Sequence, residues 1–295
     1  MKKLERDQTI NYFTPDLVFV MTVDLNEQFK VETHDCYGGQ VQDEHTSRWD
    51  IGRSIINLAT GPIYINGLKA GDVVKLDIDN IELGSSGITM TAKGLGVLGD
   101  TIQNESTKIL SVEDGFVKFS ERLCLPVKPM IGVIGLATKE DKIHTASPGC
   151  HGGNMDTTDI TTGNSLYLPV FQDGGLLAMG DLHATMGDGE LDGTGVEIDG
   201  EVTLTASKVE GLSISNPIVE SPGAFFFIAS AKTLNEAIKI ASQNTVDHLT
   251  TILKEDYEMA YRLLSAYCDI RISQVVNPLV TVRVKVPKTL LPKLI

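Results

Sequence analysis

Apolar and polar positions along the chain fall into two regimes, a long run of short alternating segments and a shorter stretch with helical periodicity. Leu17, Phe19, Met21 and Val23 occupy alternate positions, which predicts a strand leading to a turn at residues 24–27. Val74, Leu76 and Ile78 alternate with Lys75, Asp77 and Asp79, as in a strand with one buried face. Turns at 94–99, 113–115 and 126–129 punctuate the chain at β-like spacing, and residues 131–136 read as an apolar strand broken by glycine. Segments 165–171 and 176–179 predict two strands around an Asp-Gly-Gly turn, and residues 201–209 alternate cleanly.

After Pro222 the pattern changes. Residues 225–230 form an apolar strand, then Thr233 and Glu236 make a capping box that opens a helix with Leu234, Ala237, Ile238 and Ala241 on one face. Leu249, Ile252 and Leu253, then Ala260, Leu263, Leu264 and Tyr267, continue helical stripes across a polar break at 254–256. Val280, Val282, Val284 and Val286 alternate as a last strand that completes a sheet, and the tail from 287 to 295 is expected to be loose or docked on a partner subunit. The fold class that follows is α+β, mainly β. A β-rich body spans 1–221 and a smaller α+β portion with two or three helices spans 222–295.

Composition narrows the partners. With 25 Lys plus Arg against 39 Asp plus Glu, the formal charge of −14 argues against nucleic acid and against an anionic membrane. The four cysteines form no CxxC pair, no leader pattern opens the chain, and the apolar run 224–231 is far below the roughly 20 residues that cross a bilayer. A cytoplasmic location is the expectation.

Five of the six histidines, His34, His45, His144, His151 and His183, lie among Gly, Asp, Ser and Thr rather than on amphipathic elements. In GDLHATMGDGELDGTG, residues 180–195, Asp181 and His183 sit two apart, so on a strand end they share a face and can serve as metal ligands or as a base and its orienter. A solvated turn is the plain alternative. Asp188, Glu190, Asp192 and Asp199 approach a calcium-loop spacing, but Glu stands at the third place, Asp at the last, and the flanks are strands, which excludes an EF-hand and leaves a non-helical cation site. In SPGCHGGNMDTTD, residues 147–159, Gly152 and Gly153 let backbone N–H groups come close to a ligand, although a Gly-Gly turn needs none. Cys150 and His151 are adjacent and would face opposite ways on a strand, which disfavours a thiol nucleophile. Asp35 and His45 belong to a third polar run, where Asp43 and Glu44 would raise the basicity of the His45 imidazole and orient it.

The blocks ETHDCYGGQ, DEH, NLATGPIYINGLKAGDVV, CHGGNMD, SLYLPVF, GDLHATMGDGE and RLLSAYCDIRISQVVNP, from about residue 32 to 286, together resemble the acetamidase/formamidase family, in its compact acetamidase-like branch. The resemblance implies a mainly β, sandwich-like body, assembly as a homodimer or larger homo-oligomer, and hydrolysis of small aliphatic amides to carboxylate and ammonia. Met186 departs from the pattern, which has Gln there.

Amide hydrolysis needs an activated nucleophile, oxyanion stabilisation and an acid for the departing ammonia. The expected centre is a divalent metal, zinc first, held by some of Asp35, His45, Asp181 and His183, with calcium on the 188–199 loop as a separate expectation. Glu190 is the expected base, with His183 and Asp181 beside it, and His151, Gly152, Gly153, Asn154 and Asp156 are expected around the substrate. The alternative is a non-catalytic metal- or small-ligand-binding β-sandwich.

Overall fold

Alternation becomes two large sheets. The computed structural model describes residues 1–295, the side chain of Arg53 excepted. In the nine-stranded sheet the order is Lys2–Leu4, Gln28–Thr33, Gly200–Val209, Val73–Leu83, Ser165–Pro169, Ile218–Glu220, Ala224–Ala231, Val280–Pro287 and Asp269–Gln274. Only its first pair is parallel. The second sheet has eleven strands with Leu177–His183 at its centre, flanked by Met130–Gly135, Ala59–Asn66 and the short Glu197–Ile198.

Period-2 patterning explains the layers. Phe29, Val31, Leu76, Ile78 and Leu204 from the first sheet meet Ile63, Ile65, Ile131, Met179, Leu182 and Ile198 from the second in one buried core. Along Ala224–Ala231 the phenylalanines split by parity: Phe226 joins this core, whereas Phe225 and Phe227 face the other way. That other side is covered by α1 (Leu234–Leu253) and α2 (Tyr257–Tyr267), through Ala237, Ala241, Val246, Leu249 and Ala260 against Val282, Val284 and Val286. The mainly β, sandwich-like body with C-terminal helices therefore stands, with two helices among the described residues.

The helix boundaries follow capping chemistry. Thr233 and Glu236 form the reciprocal capping box, and Lys254 ends α1 in a left-handed conformation. Asp256 then accepts from Met259 N at 2.7 Å and opens α2. One expected strand is shorter than its pattern: only Met21–Asp24 is extended into the sheet, and Val18, Phe19 and Val20 are exposed. The Ala59–Asn66 strand, which is paired with Met21–Asp24, meets residue 20 only through Pro62 O, which accepts from Val20 N. The change of character at residue 222 falls inside the nine-stranded sheet, since Ile218–Glu220 pairs with Ala224–Ala231.

Strand Leu177–His183 is buried at all seven positions, which is why it reads as a nearly continuous apolar run rather than an alternating one. Its partner Met130–Gly135 is paired on either side of Asp181 but not at it. Gly132 faces that gap. A methyl group there would lie 2.6 Å from Asp156 Oδ1 and 2.8 Å from Asp181 O. Gly132→Ala is therefore expected to cost about 1–3 kcal/mol by overpacking, seen as a lower midpoint in denaturant; an unchanged midpoint would show that the two acids are free to move apart.

Candidate active site

The end of the central strand opens into a cluster of buried acids. Asp156, Asp181, Glu190 and Glu197 are all buried, with His183 fully enclosed among them. His183 Nε2 stands 3.1 Å from Glu197 Oε2, 3.5 Å from Asp181 Oδ1 and 4.0 Å from Asp156 Oδ1. Sheet pairing produces this meeting: His183 is directly opposite Glu197, and the Gly152–Asn154 strand beside Met130–Gly135 carries the chain to Asp156.

Amide groups hold the outer oxygens of these acids. Asn57 Nδ2 donates to Asp181 Oδ2 at 2.9 Å, Asn277 Nδ2 to Asp156 Oδ2 at 2.6 Å, and Gly195 N to Glu197 Oε1 at 2.8 Å. The Asn154 amide nitrogen, in the orientation its acceptor neighbours dictate, reaches Asp181 Oδ2 and Asp156 Oδ2, each at 3.0 Å. Such outer partners fix ligand carboxylates in place. The inner atoms are left over: Asp181 Oδ1, Glu190 Oε2, Glu197 Oε2 and His183 Nε2 are buried and make no well-directed hydrogen bond, although His183 Nε2 lies close to Glu197 and Asp181.

Backbone strain concentrates at the same spot. Asn57, Asp156, Asp181 and Glu190 have φ of +55°, +43°, +58° and +49°. A left-handed residue other than glycine costs about 1–2 kcal/mol, and such residues gather where surrounding structure imposes a functional geometry.

Four buried carboxylates beside one imidazole cannot all be ionised without a counter-charge. Among the described residues no Lys or Arg pairs with any of them. In the metal-free protein, protons fill the role. Burial, reinforced by the Asp181 charge, carries Asp156 up to about 6. Burial carries Glu197 to about 7, with His183 opposing and Asp181 reinforcing. Glu190 is pushed well above the carboxylate range by burial and then by Asp156. Burial opposes charge on the His183 ring, but the Glu197 charge and the close oxygens of Asp181 and Glu197 outweigh it and hold its pKa well above the usual imidazole range.

These shifts have one sign above pH 7. Raised values for Glu190, Glu197 and His183 mean that the folded protein binds more protons than the unfolded chain, so stability falls as pH rises. The lowered histidines, His144, His151 and His248, act in the opposite sense only while the unfolded ring titrates, below about pH 6.5 to 7. Chelator-treated protein should therefore melt at a lower temperature at pH 9 than at pH 7. Equal melting temperatures would contradict the proton-filled cluster.

The donor set also fits a cation. Asp156, His183 and Glu190 form one group whose ligand atoms lie within 4.8 Å of one another, and Cys36, Asp181 and Glu197 form a second. Carboxylate, imidazole and thiolate together suit a borderline divalent ion. The other ring nitrogen of His183, Nδ1, lies 3.2 Å from the Met186 sulfur, so the residue that replaces the expected Gln touches the site. Glu190, Met186 and Gly195 line a cleft of about 510 Å³ whose other walls include Phe119, Leu125, Leu191 and Val196.

Several expectations are redrawn. Asp181, His183, Glu190, Asn154 and Asp156 are brought together, but the inner oxygen of Asp156 joins the acids rather than a substrate shell. Asp35 is buried, yet its carboxylate accepts from Tyr37 N at 2.8 Å and Gly39 N at 3.2 Å; it shapes the turn that presents Cys36, outside both ligand groups. His45 is exposed on a loop and also outside them. The amide of Gly152 donates to Gly149 O, so it is not free for an oxyanion, and both Gly152 and Gly153 pair with Met130–Gly135. His151 is fully buried against Phe13, with ring centroids 4.9 Å apart, and burial lowers it to about 4. The acids of the calcium-like loop diverge: Asp188 pairs with Arg283, Glu190 turns into the cluster, Asp192 accepts from Thr91 and Asp199 pairs with Arg6. Glu197, Cys36, Asn57 and Asn277 were not singled out by sequence reasoning. The one signal for Glu197 is an acid set between the apolar Val196 and Ile198, both buried.

A β-sandwich with strained acids around a buried imidazole at a strand end has the make-up of a hydrolase centre. The acetamidase/formamidase family profile matches residues 1–143 and 137–292, and the chain belongs to that family of amidases. It is 26% identical to a formamidase of Methylophilus methylotrophus over 74% of this chain and 70% of the relative. It superposes on the crystal structure of an acetamidase from Bacillus halodurans with a TM-score of 0.97 at 39% identity, covering 99% of each chain. It also superposes on a predicted acetamidase/formamidase from Thermoanaerobacter tengcongensis, with a TM-score of 0.96 at 42% identity over 99% of this chain and 97% of the other. No helix is long and apolar enough to cross a membrane.

Proposed function

We propose that the buried cluster is a divalent-metal centre that hydrolyses small aliphatic amides such as formamide or acetamide to the carboxylate and ammonia. The observation that carries this reading is the set of inner atoms on Asp181, Glu190, Glu197 and His183, all buried and without a well-directed hydrogen bond. His183 with the inner oxygens of Asp181 and Glu197, and with Asp156 or Cys36 beside them, would hold the ion, which leaves Glu190 outside the ligand set. Nitrogen and sulfur donors favour zinc, whereas calcium would draw on the carboxylates alone. When bound, such an ion supplies Lewis acidity, which polarises an amide carbonyl and acidifies water.

The remaining work falls to side chains. Glu190 lines the cleft with an unpartnered oxygen; with a bound cation offsetting the neighbouring acids it would be ionised, and it then takes the proton from attacking water and returns it to the amide nitrogen. Asn57, Asn154 and Asn277 keep the acids aimed inward. Phe119, Leu125 and Leu191 offer an apolar wall to a short acyl group. Names of the relatives support small amides as substrates. Ammonia release from formamide and acetamide by zinc-loaded protein tests the reading; binding of zinc without hydrolysis of either amide would leave a non-catalytic metal-binding sandwich instead.

A homodimer or larger homo-oligomer is part of the proposal, supported by exposed Phe116, Phe119 and Leu123 on neighbouring strands. Light scattering at two protein concentrations tests it, and a monomer mass at both would refute it. A cytoplasmic location accords with four free cysteines.

A further inference from the structure

Arg283, on strand Val280–Pro287, is among the largest fully buried side chains of the described residues, and it pairs with none of the acids of the cluster directly. Burying a guanidinium is costly unless its donors are matched, and here they are. Nε donates to Asp159 Oδ2 at 2.6 Å, and Nη2 donates to both oxygens of Asp188 at 2.7 and 2.9 Å and to Thr158 Oγ1 at 3.0 Å. Nη1 reaches Ile272 O at 3.3 Å and Ser273 Oγ at 3.2 Å.

What matters is where those acids sit. Asp159 lies three residues after Asp156, and Asp188 lies two residues before Glu190. Arg283 thus ties together the two loops that deliver Asp156 and Glu190, two acids of the buried cluster. The same region is laced to strand Asp269–Gln274: Gly189 N donates to Ser273 O at 2.9 Å, Val275 N to Gly189 O at 3.2 Å, and Thr157 Oγ1 to Ser273 Oγ at 2.9 Å. Glu190 needs such support, since its backbone is left-handed and its Oε2 has no partner.

We propose that Arg283 is a positioning residue, a clamp that sets Glu190 and Asp156 in register with His183 through Asp188 and Asp159. Lysine could not replace it, because one ammonium cannot serve two carboxylates and a hydroxyl in a planar fork. The proposal rests on the role assigned to Glu190 above, and its test is built so that the two can fail separately.

Arg283→Lys empties a buried fork and can unfold the protein, so the deciding variant is Asp188→Ala, whose side chain is 39% exposed. Asp159 stays on Arg283 in that variant. Expected results are a fall in kcat of at least about thirtyfold for acetamide, with KM within threefold, and at least about tenfold faster hydrogen exchange at the Gly189 and Val275 amides, with other strands unchanged. Asp188→Glu should recover most of the loss, and Asp173→Ala, which removes an exposed pair with Lys69, should change neither readout. Unchanged exchange at Gly189 and Val275, or kcat within threefold of the parent, overturns the clamp, as does acceleration of exchange throughout the molecule. Should the parent protein itself fail to hydrolyse amides, the amidase reading falls, and the exchange result alone decides whether Arg283 holds these loops.

Discussion

Glu190→Gln is expected to lower kcat for acetamide by about 10²–10⁴-fold, the range that general acid–base catalysis contributes, with little change in KM. Glutamine keeps the size and shape of the side chain but can neither take a proton from water nor deliver one to nitrogen. Folding should survive, because Glu190 Oε2 bonds to nothing in the protein. Its pKa, raised by burial and then by Asp156, makes ionisation of the native acid a burden on the metal-free fold. The variant should therefore melt at the same temperature or higher at pH 8. Near-normal turnover would remove Glu190 from the proton-transfer role, and a collapsed melting temperature would show that its carboxylate stabilises the loop.

His183→Ala should abolish both zinc retention and turnover. His183 Nε2 is the one imidazole nitrogen in the cluster, and it lies within 4.0 Å of oxygens on three acids. Losing an outer partner of a ligand typically weakens metal binding by about 10–100-fold, so loss of a ligand itself should exceed that range. Equilibrium dialysis against zinc followed by metal analysis reads the effect. Parent-like zinc uptake by the variant would transfer the site to Cys36, Asp181 and Glu197 alone.

The fold was largely legible because its signals are local. Period-2 alternation in residues 73–78 and 201–209 and the capping box at Thr233 need only neighbouring residues, and each formed as expected. Asp181 and His183 were legible for the same reason, being two apart at a strand end. Glu197, Cys36, Asn57 and Asn277 were not, because they reach the site through pairing and loop packing across long sequence separations, as when Glu197 is placed opposite His183. The polar run around His45 shows the reverse error. Asp43 caps its own turn by accepting from His45 N, and Glu44 pairs with Lys108, so the cluster of charge is a solvated loop. Asp35 misleads in a subtler way: it is buried like a ligand, but its oxygens are taken by turn amides. Met186 drew attention only as a departure from Gln, whereas its sulfur contacts the ring that every candidate role of the site depends on.

The most direct measurement is a titration of zinc into chelator-treated protein, with bound zinc and ammonia release from acetamide recorded at each step. Turnover rising in proportion to zinc bound, and absent before the first addition, is the expected result. Full turnover in metal-free protein, or zinc taken up with no ammonia released, would contradict a metal-dependent amidase centre in this cluster.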